Sequence, residues 1–81
     1  MERILRLPSV LSLTGLSRSM LYRLIKLGLF VTPVSIASRS VGWPQDEIDA
    51  INAARIAQRT EKEIAALVAA LKAARKLRDK K

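Results

Sequence analysis

Between Gly15 and Gly28 the chain runs from Ser17 to Leu27 without a Gly or a Pro. Ser17 is a good N-cap, because its hydroxyl can accept from a free backbone N–H of the first turn. Gly28 suits the position just past a helix, where the backbone turns left-handed and a Cβ is penalised. A helix over Ser17–Leu27 is therefore expected. Upstream, Pro8 fits the first turn of a helix, where its missing N–H costs nothing. Val10, Leu11 and Leu13 supply apolar positions for a short helix over Pro8–Thr14. Two short helices joined by a Gly-containing turn make a helix-turn-helix pattern.

At roughly 100° per residue, the second helix sorts into two sides. Met20, Leu21, Leu24, Ile25, Leu27 and Gly28 fall on one, which needs a core to cover it. Arg18, Ser19, Tyr22, Arg23 and Lys26 fall on the other, with no carboxylate among them. A merely solvated helix face usually mixes signs and gains i,i+4 pairs. An acid-free cationic face suits phosphates and guanine edges instead, since Arg donates two bonds to guanine O6 and N7. Lys and Ser commonly hold phosphates and set register.

The next segment changes character. Val34-Ser35-Ile36 and Val41-Gly42-Trp43 alternate, and Ala37-Ser38-Arg39-Ser40 between them is mostly polar. This reads as a two-stranded hairpin, with Pro33 at the start of its first strand. Ser38 and Arg39 at the tip suit a neighbouring groove or backbone, and an Arg there suits a narrow minor groove. An ordinary exposed turn is the alternative. Trp43 and Phe30 read as core residues. Arg3–Leu7 is a short strand or an extended lead-in.

Pro44-Gln45-Asp46-Glu47 opens a further helix, with acids where they complement the helix dipole. Ile48, Ile51 and Ile56 are its expected buried side, and Asn52 and Arg55 make that burial partial. The helix runs to about Arg59. Thr60 and Glu63 match a capping box, and an Ala-rich helix follows to about Leu77. One unbroken helix over residues 45–77 is equally open. Lys76–Lys81 is expected to fray.

Fifteen Lys and Arg against seven Asp and Glu give a net charge of +8, which points to a polyanion partner. The absence of Cys and His excludes disulfides and thiolate or imidazole metal sites. No metal, cofactor or small-molecule ligand is expected. No nucleophile–base pair or Gly-rich phosphate loop suggests an enzyme. The first ten residues do not resemble a secretory signal, and no apolar stretch approaches the ~20 residues of a membrane span. A cytoplasmic, nucleoid-associated protein is expected.

At LTGLSRSMLYRLIKLG, residues 13–28, and onward through the hairpin to VGWPQDEIDA, residues 41–50, the sequence resembles the AlpA family of small phage and prophage regulators. The resemblance implies a winged helix-turn-helix related to the MerR and excisionase domains. It implies sequence-specific binding of double-stranded DNA near integrase genes or attachment sites, as a transcriptional regulator or a recombination directionality factor. By motif position it puts Ser17, Arg18, Ser19, Tyr22 and Arg23 against DNA and Arg39 on the wing. The Ser-rich wing turn departs from a family pattern that often has Gly there. The helix after Thr60 is longer than the usual family end.

The expected fold is therefore mainly α with a small β-hairpin wing: a DNA-binding domain over residues 1–59 and an amphipathic C-terminal helix over 60–81. In that helix Ile64, Leu67, Val68, Leu71 and Ala74 form a stripe under two heptads long. It is either a seam for self-association, which the small size of the domain favours, or a face folded back onto the same chain. Lys72, Arg75, Lys76 and Arg78 form a basic end suited to phosphates or an acidic partner. Alternative functions are an architectural protein that assembles cooperatively along DNA and bends it, and a protein–protein adaptor. A membrane-surface peptide lacks an aromatic anchor.

Overall fold

The computed structural model describes residues 3–79, with side chains as far as Lys76. Their elements run β1 (Ile4–Leu5), α1 (Leu7–Thr14), α2 (Arg18–Lys26), β2 (Val34–Ala37), β3 (Ser40–Pro44), α3 (Gln45–Ile56) and α4 (Glu61–Asp79). This is the mainly α winged helix with an added C-terminal helix that the sequence predicts. The lead-in is a strand: Ile4 and Leu5 pair antiparallel with Pro44 and Trp43. β3 is thus central in a three-stranded sheet ordered β1-β3-β2.

Local chemistry sets the helix ends. Pro8 lies in the first turn of α1, and Gly15 closes that helix at φ 73°, its N–H donating to Leu11 O at 2.9 Å. Ser17 Oγ accepts from Met20 N at 3.2 Å, which fixes the start of α2. Gly28, at φ 79°, ends it, with Gly28 N donating to Ile25 O and Leu29 N to Leu24 O. The same pair of bonds ends α3, from Gln58 N to Arg55 O and Arg59 N to Ala54 O. Gln58 takes the left-handed position there, at φ 57°. Residues 45–77 therefore hold two helices. The second starts on the expected capping box: Thr60 Oγ1 accepts from Glu63 N at 3.1 Å, and Glu63 Oε1 accepts from Thr60 N at 2.9 Å. α4 extends through Asp79, so of the tail expected to fray, Lys80 and Lys81 lie outside the described residues.

One core joins all of this. Trp43, Phe30, Leu21, Ile48, Ile51, Val10 and Val31 are fully buried, and Leu5, Ile64 and Val68 nearly so. Ile64 and Val68 belong to the same cluster as Trp43, and Leu67 and Leu71 pack against it. The C-terminal stripe thus faces its own chain. Trp43 is a core residue, as expected, and its Nε1 donates to Val31 O at 3.0 Å. Gly42 is required by crowding: a Cβ there would meet Ile4 Cγ2 at 2.4 Å, Ile36 Cδ1 at 2.7 Å and Leu5 O at 2.9 Å.

Two expectations fail. Ile56, grouped with Ile48 and Ile51, is 83% exposed. The buried face of α3 is Glu47, Ile48 and Ile51, and at 100° per residue Ile56 lies roughly 130° from its centre. A carboxylate occupies the place that the apolar pattern reserved for an isoleucine. Arg75, assigned to an exposed basic end, is the reason this is tolerated. Its Nε donates to Glu47 Oε2 at 3.0 Å and to Oε1 at 3.2 Å, and its Nη2 also binds Oε1. A buried carboxylate needs such a match in charge and hydrogen bonds.

Candidate nucleic-acid interface

The surface begins with α2. Leu21 is fully buried, and Leu24 and Ile25 are partly buried against the core. These three anchor the helix and decide which residues face out. Arg18, Ser19, Tyr22, Arg23 and Lys26 are all exposed. Among the described residues the ion pairs found are Arg59–Glu63 and Arg75–Glu47, so none joins Arg18, Arg23 or Lys26 to a carboxylate. The outer arc presents three guanidinium or ammonium groups, a hydroxyl and a phenol side by side.

Ser17 sits at the head of this arc with a structural task, because its Oγ already caps the helix and lies 3.5 Å from Ser19 Oγ. Two members of the apolar arc differ from expectation: Met20 is 43% and Leu27 62% exposed. Both lie roughly 95–115° from the centre set by Leu21, Leu24 and Ile25, which leaves them at the rim. They flank the cations with apolar surface.

The hairpin presents Ser38 and Arg39 as its two turn residues, both exposed. β2 is irregular between Ser35 and Ala37, where the register against β3 shifts. A bulge of this kind increases local twist and re-aims a strand end. The short joint from Leu29 to Pro33 connects this hairpin to α2, with Phe30 and Val31 in the core. The recognition-type helix and the wing are therefore joined through the one core.

The proposed oligomerisation residues lie elsewhere. Ile64 and Val68 are 6% and 3% exposed, and Leu67 and Leu71 are partly covered. What α4 exposes includes Ala66, Ala69, Ala70 and Ala73 together with Lys62, Lys72 and Lys76. The Arg78 side chain lies outside the described residues.

The sequence reading missed Glu47 and Arg75. Their signal was present: Ile64, Val68, Leu71 and Arg75 are spaced i, i+4, i+7, i+11, so Arg75 continues the buried face. Sequence reading also missed Asn52, whose Nδ2 donates to Leu13 O at 3.1 Å and ties α3 to the end of α1.

Helix, turn, helix and a β-hairpin wing over one core define a winged helix-turn-helix protein. Residues 3–56 match the family described as prophage CP4-57 regulatory protein (AlpA), and the chain belongs to that family. It is similar to an uncharacterized protein, ORF88, of Enterobacteria phage P4, at 48% identity over 58 residues. That match covers 72% of this chain and 66% of the relative, so it spans just under two thirds of the relative's length. No solved structure matches. No helix among the described residues is long and apolar enough to cross a membrane.

Proposed function

We propose that this phage regulatory protein binds double-stranded DNA sequence-specifically at the nucleoid. α2 enters the major groove and Ser38 and Arg39 reach the adjacent groove or backbone. It acts as a transcriptional regulator or as a recombination directionality factor of a mobile element. The observation that supports this most is the acid-free outer arc of α2, exposed along its length and held by a buried apolar flank. Arg18 and Arg23 read base edges, while Ser17, Ser19, Tyr22 and Lys26 set register on the phosphates.

The test is a protected footprint on DNA of the host element, followed by titration of that site with Arg18→Ala and Arg23→Ala. Each variant should weaken binding by about 1–3 kcal/mol. Wild-type affinity in both would remove α2 from the interface. A footprint beside a promoter favours the regulator, and one at an attachment site favours the recombination factor. Self-association through the stripe Ile64, Leu67, Val68 and Leu71 of α4 is a separate proposal; Ile64 and Val68 are buried in their own chain, and Leu67 and Leu71 remain partly exposed. Sedimentation tests it: a monomer at every concentration removes it.

A further inference from the structure

The family match ends at residue 56, and α4 begins at Glu61. Apart from burying Ile64 and Val68, this added helix delivers one side chain to the joint between α2 and the wing. Arg75 Nη2 donates to Thr32 O at 2.8 Å, and Nη1 donates to Thr32 Oγ1 at 3.3 Å. Thr32 stands two residues before β2.

The joint has no helix or strand ladder of its own, so its carbonyls turn to side-chain donors or water, and side chains hold three of them. They come from three elements. Arg55 of α3 reaches Leu29 O at a long 3.5 Å, and its buried Nε finds no hydrogen-bond partner. Trp43 of β3 holds Val31 O at 3.0 Å. Arg75 of α4 holds Thr32 at two atoms while its Nε and Nη2 grip Glu47. Glu47 is fully buried, and the Arg75 side chain is 19% exposed. A planar guanidinium can satisfy a carboxylate along one edge and a backbone carbonyl along another, whereas an ammonium is a point charge without that fork.

We propose that Arg75 is a positioning residue for the wing: clamped on Glu47, it fixes Thr32 and so sets where the β2–β3 hairpin stands relative to α2. Its value for DNA binding rests on the interface proposed above. Part of the protein outside the family segment thereby controls how the family's wing meets its ligand, without touching DNA itself.

Arg75→Lys keeps a cation beside Glu47 and loses the fork. The double variant Glu47→Met/Arg75→Met removes both members of the clamp together, so it serves if the Lys variant does not fold. Two readouts apply to the full chain. Hydrogen exchange of the amides of residues 34–43 should quicken about tenfold relative to those of α1 and α2. On the footprinted duplex, Arg39→Ala should cost about fivefold in affinity in the wild type but less than about twofold in the clamp variant, since uncoupled sites simply add. Unchanged hairpin exchange together with an undiminished Arg39 effect would reduce Arg75 to a packing residue and overturn the proposal. Should Arg39→Ala have no effect even in the wild type, the wing contact fails. Exchange alone then decides: a loosened hairpin sustains the clamp and an unchanged one ends it.

Discussion

α2 and α4 are both basic helices with an apolar stripe, and they use their arginines in opposite ways. On α2 the stripe stops short of the cations: Leu21, Leu24 and Ile25 face the core, and Arg18 and Arg23 stand in solvent. On α4 a cation continues the line of the stripe, and Arg75 goes inward to a fully buried carboxylate. Charge count does not separate these cases. What separates them is the angle of each cation to the apolar face, together with the acid that α3 turns toward α4. A solvated cation is free to meet a polyanion, whereas a buried pair is committed to the fold.

The largest effect expected from this contrast is on stability. Arg75→Ala takes the bidentate guanidinium from the buried Glu47, and removing one member of a buried pair costs about 3–5 kcal/mol. At about 4–8 °C per kcal/mol for a domain of this size, the melting temperature should fall by tens of degrees. Thermal unfolding followed by circular dichroism reads this directly. A loss under about 1 kcal/mol would make the pair no better than a surface one and erase the contrast.

Arg18→Ala and Arg23→Ala should behave in the inverse manner. Their thermal unfolding should stay within about 0.5 kcal/mol of wild type, as for exposed sites, while their affinity for the footprinted site drops. Salt sharpens the distinction. Lys26→Ala should lower the slope of log affinity against log salt by about one phosphate contact. Glu47→Met/Arg75→Met should lower that slope by no more than Arg39→Ala does, because Arg75 is not itself offered to phosphates and acts only through the wing.

The ends of the helices give a smaller test. Gly28 after α2 and Gln58 before α4 occupy the same left-handed position, at φ 79° and φ 57°. Gly28→Ala has open space for its Cβ and should lose about 1 kcal/mol from backbone strain alone. Gln58→Gly should gain up to about that amount, because it relieves the same strain. Equal and opposite shifts in urea midpoint would show that the two motifs are equivalent. No change in either would show that the loops relax.

The smallest effect is acid sensitivity at the start of α4. The Thr60 backbone N–H bond holds the Glu63 carboxyl below its ordinary value of about 4.5, helped by the Thr60 hydroxyl and by Arg59. A carboxylate with a lowered folded pKa stabilises above its unfolded value and loses that contribution as the pH falls through its folded one. The cap of α4 should therefore weaken in acid below about pH 4.5. The Ser17 cap of α2 has no carboxylate and should not. Glu63→Gln should slightly reduce the difference in melting temperature between about pH 5 and pH 3. An unaltered pH profile would remove Glu63 from the cap.

Much of this molecule is written locally. Ser17, Gly15, Gly28, Pro8 and the Thr60–Glu63 box act within a turn or two of themselves, so the helices and their ends were readable from neighbouring residues alone. The hairpin was readable for the same reason, from alternation on either side of a polar turn. The outward set on α2 followed from its period, since one helix face cannot hold both Leu21 and Arg23. What a single helix period cannot supply is the direction in which a face meets its neighbours. Ile56 and Glu47 exchanged their expected places because α3 is rotated toward α4. That rotation brings Glu47 to Arg75, 28 residues away in sequence. The third strand, the Asn52 tie to Leu13 and the hold on Thr32 are of the same kind. Each joins groups that have no local reason to be partners, and only the packing of the whole chain places a donor beside an acceptor that water would otherwise have satisfied.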